Sequence, residues 1–394
     1  MPYPPKDGGA IATLSKALAL QKSGNDIDIL AMNTQKHFCK VEDVPAEFSD
    51  FLNFYSVFVN TDIKFVDFLK NLLFSKLPYI AERYISKDYN EKLITILKEK
   101  NYDIVQLEGS YLCPYITTIR ENSTAKISLH SHNVEFEIWE RITKNEKNFV
   151  KKFFFNIMTK RLKNFEVSFI NKYDFLLPVT ERDGLKFNEL GNKKKMQILQ
   201  NGINPERYVI PEAEPEFPGF FTIGSLDWLP NQEGLIWFIN NVWLNFIKKY
   251  SDAKFYIAGR NAPKKLINFF KNKNIVFLGE IDNANSFISS KSVMLVPLFA
   301  GGGMRVKIVE GMVLKKTVIS TSIGAEGIDI IHKNNILIAD TAKDFYDCLE
   351  LIYNNKSLHD KISENAKNFV FENLNNYKVA EKLSKFFKEN LEND

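Results

Sequence analysis

At 394 residues, with 45% hydrophobic and 25% charged side chains, the chain can bury a large core and is long enough for two domains. Its 52 basic against 48 acidic residues leave a net +4, too small a balance to mark a nucleic-acid binder. Cys39, Cys113 and Cys348 are odd in number and widely spaced, which argues against a disulfide framework or a cysteine zinc site and fits a reducing cytoplasm.

The chain opens MPYPPKDGGAIATLSKALALQKSG: a Pro-rich turn, the pair Gly8 and Gly9, then a helix with Ile11, Leu14 and Leu18 on one face and Gly24 as its stop. A glycine turn that starts a helix ordinarily follows a buried strand, and none precedes this one. The expectation is that the N-terminal domain lacks its first strand, that Met1 is an internal methionine and that the natural chain begins upstream. Strands are expected at 26–32, 103–109, 126–131 and 174–180. Residues 51–85, rich in Phe and Leu with Lys64, Lys70 and Lys76, read either as an extension of the basic, aromatic surface at 144–172 or as cover for a groove.

Four prolines within 205–219 give a linker composition. Beyond it strands are expected at 220–224, 254–260, 275–279, 293–298, 317–321 and 336–340, with a helix over 233–250 that places Leu235, Phe238, Val242 and Phe246 on one face. Further helices are expected from Pro263, near 284–290 and over 304–314, and the stretch 357–392 reads as two more. Short apolar strands alternating with helices predict an α/β protein of two Rossmann-like, doubly wound domains, 1–208 and 209–372, facing a central cleft. The last segment, 373–394, is expected to be a helix that crosses back to the first domain. The apolar runs, such as MLVPLFA at 294–300, are shorter than the roughly 18 residues of a membrane span.

The sharpest motif is VPLFAGGGMRVKIVEGM at 296–312. A buried strand runs into Gly301, Gly302 and Gly303 and then a helix, so backbone N–H groups and a positive helix end converge on an anion site, with Arg305 and Lys307 adding charge in the first turn. Glu310 falls on the same side, where its carboxylate can accept two hydrogen bonds from a vicinal diol such as a ribose; the bland alternative is a surface ion pair with Lys307. TVISTSIGAEGI places Gly324 and Glu326 in a second loop, either lining the same pocket or forming a mere turn. In IGSLDWLPNQEGL, Gly224 ends a strand and Asn231 either caps the following helix or faces the cleft. His130 and His132 alternate onto one side of an extended segment, but no third ligand has a metal-site spacing, so one cleft histidine and one packed histidine are expected.

In this order and spacing, PYPPKDGGA, HNVE, NGI at 201–203, GSLDWLPNQEG, PLFAGGGMRVKIVEGM and TSIGAEGI resemble a family 4 glycosyltransferase of the GT-B fold. The resemblance implies a retaining, metal-independent hexosyltransferase-like enzyme that needs no cofactor and takes its sugar from a nucleotide diphosphate sugar. Glu310 would hold the ribose, and the Gly301–Gly303 loop with Arg305 the diphosphate and sugar. Gly8 and Gly9 would lie beside the diphosphate and acceptor, and His132 would reach the donor sugar. The chain departs from the pattern in two places. The earlier of two glutamates that many relatives carry falls on Gly302, and the basic pair that many carry after a strand falls on Ser225 and near Pro230, leaving Arg305 and Lys307 to neutralise the diphosphate. Asp103, Glu108, Glu135 and Glu326 stand near strand ends as candidate bases, none singled out.

Between 144 and 172 eight basic residues stand against Glu146 and Glu166, interleaved with Phe149, Phe153, Phe154, Phe155 and Ile157. This is either a solvated basic helix face or a surface for anionic lipid that brings the enzyme, peripheral on the inner face of the membrane, to a glycan or lipid-linked acceptor in polysaccharide, lipopolysaccharide or glycolipid assembly. No nucleic-acid motif accompanies the lysines. The other readings are a nucleotide-sugar epimerase and a catalytically silent nucleotide-sugar binder.

Overall fold

The computed structural model describes residues 1–5, 8–204, 206, 208, 214–301 and 304–392. The chain forms two compact units, Met1–Gly202 with Asn376–Asp394, and Ile203–Asn375.

In the first unit the helix Gly8–Lys22 leads into β1 (Asp28–Asn33), which pairs in parallel with β2 (Asn53–Phe58). A second parallel sheet runs β3 (Ile104–Glu108), β4 (Lys126–Ser131), β5 (Phe175–Pro178) and β6 (Lys195–Met196), in that order. No described residue before Gly8 lies in a strand, and the strands fall in two sheets: the ladder partner of β1 is β2, and that of β3 is β4. β2 corrects the reading of 51–85 only at 53–58, which pairs with β1 and buries Phe54. Between β4 and β5, Glu135–Asn145 and Phe149–Phe169 form two packed helices. The last helix, Asn376–Leu391, packs on Gly8–Lys22, with Lys22 Nζ donating to the Tyr377 hydroxyl at 2.9 Å and Asn25 Nδ2 to Ser384 Oγ at 3.1 Å. Its Phe386 ring meets that of Phe175 at a centroid distance of 5.4 Å.

The second unit is one six-stranded parallel sheet, in the order β12 (Leu337–Ile338), β11 (Thr317–Ser320), β10 (Lys291–Val296), β7 (Glu216–Ile223), β8 (Phe255–Ala258), β9 (Ile275–Gly279). Such a sheet is covered on both faces, which is why its central strands read as unbroken apolar runs. β10 stops at Val296 because Pro297 has no N–H for the ladder. The expected linker is strand from Glu216 onward; 205, 207 and 209–213 lie outside the described residues.

The helical run after β7 starts at Leu229 and extends to Lys249 through a π-turn at Ile239–Trp243. Leu235, Phe238, Val242 and Phe246 are all buried, and the π-turn brings Ile239 and Trp243 into the same core. Each such side chain contributes about 1.5–3 kcal/mol by leaving water. Trp243 satisfies its one polar atom by donating Nε1–H to the Lys273 carbonyl at 2.8 Å. All three cysteines are buried free thiols.

Candidate functional site

Between β7 and β10 the strand order reverses, and ligands of open α/β sheets bind beyond the carboxyl ends of strands at such a switch point. A pocket opens there, lined by Thr222, Gly224, Asn231, Pro297, Leu298 and Lys307 among others. The helix Val306–Val313 begins beside it, with Arg305 at the N-cap position and no side-chain cap or acidic residue in its first turn. Arg305 therefore precedes the first turn in which the spacing had placed it, and only Lys307 lies within it.

Lys307 Nζ donates to Asn231 Oδ1 at 3.3 Å, while Asn231 Nδ2 donates to the Ser225 carbonyl at 2.8 Å. This corrects two expectations. Asn231 is not the cap, since Trp228 holds that position and Asn231 lies inside the helix. Nor do Lys307 and Glu310 form an ion pair among the described residues. A Cβ at Gly224 would lie 3.3 Å from Asn231 Nδ2 and 3.5 Å from Lys307 Nζ, so the glycine leaves this polar pair open to the pocket. Burial, and then the charge of Arg305, lowers the Lys307 pKa to about 8. An anion entering the pocket would raise it again.

Gly301 has φ of +123°, and a Cβ there would collide with the Arg305 guanidinium and crowd the Trp228 indole. The guanidinium lies over that indole, 5.6 Å from the ring centroid. Trp228 was not singled out from the sequence, although its motif was. Gly302 and Gly303 lie outside the described residues.

One turn beyond Lys307, Glu310 Oε1 accepts a hydrogen bond from the Tyr208 hydroxyl at 3.1 Å. Burial raises its pKa to about 7, against the opposing effect of that hydrogen bond. Gly324 is buried in the loop after β11, where its N–H meets Thr321 Oγ1 at 2.9 Å. Thr321 Oγ1 donates in turn to the Leu298 carbonyl, and Ser320 Oγ to that of Val296 at 3.2 Å, so hydroxyls tie the loop after β11 to the one after β10. Glu326 is half-buried in the turn that follows. Gly234, not foreseen, is where the Leu229–Phe238 helix presses on the sheet, since a Cβ there would run into the Pro297 carbonyl.

In the first unit the register pairs Glu108 at the end of β3 with His130 on β4. Glu108 Oε1 accepts from Lys16 Nζ at 2.8 Å; Oε2 stands 2.8 Å from His130 Nδ1 and 3.2 Å from His132 Nε2. Burial opposes ionisation of Glu108, but Lys16 and His130 overcome it and hold the carboxyl well below the usual range. Burial, then the Lys16 charge, lowers the His130 pKa to about 4, so this imidazole is neutral near pH 7. Its Nδ1 lies 2.8 Å from both Lys16 Nζ, a donor, and Glu108 Oε2, an acceptor, while its Nε2 is buried with no hydrogen-bond partner among the described residues. An ionised Glu108 can only accept, so His132 donates to it from Nε2.

Glu108 is thus the third donor that spacing along the chain did not supply: Glu108, His130 and His132 bring metal-ligand atoms within 4.8 Å of one another. The Lys16 ammonium, 2.8 Å from both Glu108 Oε1 and His130 Nδ1, already supplies a cation to that donor set. Gly8 and Gly9 open the helix that carries Lys16. Glu135 accepts from Tyr111 and Asn133, each at 3.2 Å, while Glu166 receives the Phe136 N–H at 2.9 Å at the start of Glu135–Asn145.

Residues 218–355 match the glycosyl transferases group 1 family. Across nearly the whole chain the fold is also that of a Rickettsia africae glycosyltransferase: TM-score 0.66 at 18% identity, covering 98% of this chain and 96% of that one. The chain has the GT-B fold and carries a glycosyl transferases group 1 domain in its second unit. The Anabaena HepE structure in complex with UDP and glucose is similar at TM-score 0.67 and 11% identity, with 97% of this chain and 96% of that one covered. In sequence, a 44.6 kDa protein of the cps region of Klebsiella pneumoniae is 24% identical over 406 residues, 99% of this chain and 97% of that one. The group 1 match spans the Lys307 pocket, the Arg305–Trp228 stack, Glu310 and the Gly324 loop.

Proposed function

We propose that this chain is a glycosyltransferase that takes its sugar from a nucleotide diphosphate sugar bound in the second unit and transfers it, with retention at the anomeric carbon, to a glycan or lipid-linked acceptor in cell-surface polysaccharide or glycolipid assembly. The observation that carries the reading is Lys307: a half-buried ammonium whose polar neighbour is the neutral Asn231, at the open end of β7 and β10 and beside an uncapped helix N-terminus. A diphosphate is the anion that fits such a place, and Glu310 stands one turn away for the ribose diol. The occurrence of UDP in HepE, of similar fold, supports a nucleotide donor, and the cps-region relative supports the polysaccharide setting.

In the reaction the bond between the anomeric carbon and the diphosphate oxygen breaks, and a bond from that carbon to the acceptor oxygen forms on the same face. The acceptor's hydroxyl proton passes to the departing diphosphate. Arg305, Lys307 and the helix N-terminus stabilise the charge that grows on the leaving group. His132 reaches the donor sugar. No metal is required in this scheme, because cationic side chains do that work.

Thermal stabilisation across a panel of nucleotide diphosphate sugars identifies the donor, and incubation with acceptor glycans, with the product anomer read by NMR, tests the transfer. Arg305→Ala is expected to abolish transfer with an unchanged melting curve; near-normal turnover by that variant would sink the assignment. Conversion of the donor without acceptor would mark an epimerase, and stabilisation without turnover a silent binder.

A further inference from the structure

The helix Phe65–Phe74 carries apolar side chains on more than one side, with Phe68 and Leu72 half-buried. Its inward face carries the buried amide of Asn71, and its last carbonyls are held by Arg161: Nη1 donates to the Asn71 carbonyl at 3.2 Å and Nη2 to that of Leu72 at 2.8 Å. Its outward face carries Val66, Leu69 and Leu73, and Phe74 at its end is 87% exposed. An apolar stripe belongs on the buried side of a surface helix, and a large exposed one marks an interaction site. Phe68 meets Phe154 edge-on at 6.4 Å, so this helix abuts the Phe149–Phe169 helix. The first turns of that neighbour add Phe149, 83% exposed, and Phe153, 56% exposed.

We propose that these two helices form one docking surface for an anionic lipid bilayer, lying on it and not crossing it. Among the described residues no helix is long and apolar enough to cross a membrane. Charge complementarity selects the occupant. The exposed Lys64, Lys70, Lys76, Lys147 and Lys151 are interspersed in sequence with the apolar tips, against Asp62, Asp67 and Glu146 as the nearest acids. Lysine is depleted from protein–protein interfaces but favoured beside acidic headgroups, where its stem lies along the acyl boundary and its ammonium reaches phosphate. The aliphatic Val66, Leu69 and Leu73 between the lysines stack on no base and fit a hydrocarbon boundary. The inference stands apart from the donor reading, because vesicle binding is measured without any nucleotide sugar.

The test is flotation of the full chain with phosphatidylcholine vesicles, with and without about 30 mol% phosphatidylglycerol. The chain is expected to partition at least about tenfold better to the anionic vesicles, and raising salt to about 0.5 M should weaken binding. Phe74→Ser with Phe149→Ser, and separately Lys147→Glu with Lys151→Glu, are each expected to lower partitioning about tenfold with an unchanged melting curve, since these side chains are exposed. Absence of flotation with anionic vesicles overturns the proposal, as does flotation by both double variants like the parent. A dimer mass by light scattering that the Phe74→Ser, Phe149→Ser variant abolishes would assign the surface to a second copy of the chain instead.

Discussion

Lys307 and Asn231 meet at 3.3 Å beyond the carboxyl ends of β7 and β10, an ammonium set against a neutral amide with no carboxylate pairing it among the described residues. Holding a cation that way costs desolvation that no partner offsets until an anion arrives. Lys307→Met is therefore expected to leave the melting temperature of the free protein unchanged or raised. The same change should weaken binding of a nucleotide diphosphate by about 1.5–3 kcal/mol, or roughly 10- to 160-fold, as for other hydrogen bonds to charged groups. Calorimetric titration with UDP and a melting curve check both halves; a large loss of stability with intact affinity would make Lys307 a structural residue.

The two titrating groups of the pocket set a pH window for donor binding. Glu310 must be ionised to accept from a diol and is pushed up to about 7 by burial; Lys307 must be charged and is pulled down to about 8, again mainly by burial. Affinity for a nucleotide diphosphate sugar is expected to rise with pH through about 7 and to fall above about 8. Glu310→Gln should remove the acid limb and Lys307→Met the alkaline limb. Binding near pH 7 should also release a proton from Glu310, visible as a dependence of the calorimetric heat on buffer ionisation enthalpy. A flat profile from pH 6 to 9 in the parent chain would remove Glu310 and Lys307 from the ligand's surroundings.

Much of the second unit was legible because its strands are buried on both faces and stand between clear breakers, as Pro297 and Gly224 show. β2 was not legible: NFYSVF lies in a long Phe- and Leu-rich stretch whose alternation is weak, and only its pairing with β1 identifies it. The start of the helix after β7 was set too late because Asn231 offered a cap signal, whereas Pro230 at the helix start was the better one. The Glu108, His130 and Lys16 cluster depends on the register of β3 against β4 and on helix packing, which no local spacing encodes. Its one local sign was a lysine in the apolar run ATLSKALAL.

Gly301 and Gly234 give two glycine substitutions of different rank. At Gly301 a methyl group meets the positive φ and the mobile end of Arg305, which can move away at the expense of its stacking on Trp228. Gly301→Ala is expected to cost about 1–3 kcal/mol of local strain and to weaken donor binding. At Gly234 the obstacle is the Pro297 backbone, which cannot move without parting helix from sheet. Gly234→Ala should therefore lower the melting temperature further than Gly301→Ala. The reverse order would show that the helix and the Pro297 turn yield more easily than their packing indicates.

Lys16 and Glu108 form the buried pair on which His130 and His132 rest, 2.8 Å apart and partnered on both sides. Removing one member leaves the other charge buried, so Lys16→Met and Glu108→Gln are each expected to destabilise by about 3–5 kcal/mol. The double variant should lose less than the sum of the two, as coupled neighbours do. The pH dependence carries a separate signature. His130 titrates at about 4 in the folded chain and nearer 6.5 unfolded, so below that value the unfolded chain binds the extra proton and stability falls as pH drops from 6.5 toward 4. The depressed Glu108 carboxyl adds a second loss below its unfolded value of about 4.5, again because the unfolded chain takes the proton first. Lys16→Met withdraws one of the charges that suppress protonation of His130, so its folded pKa should rise and the fall in stability between pH 6.5 and 4 should become shallower. Chemical denaturation at stepped pH measures the slope; an unchanged slope in Lys16→Met would mean that burial alone keeps His130 neutral.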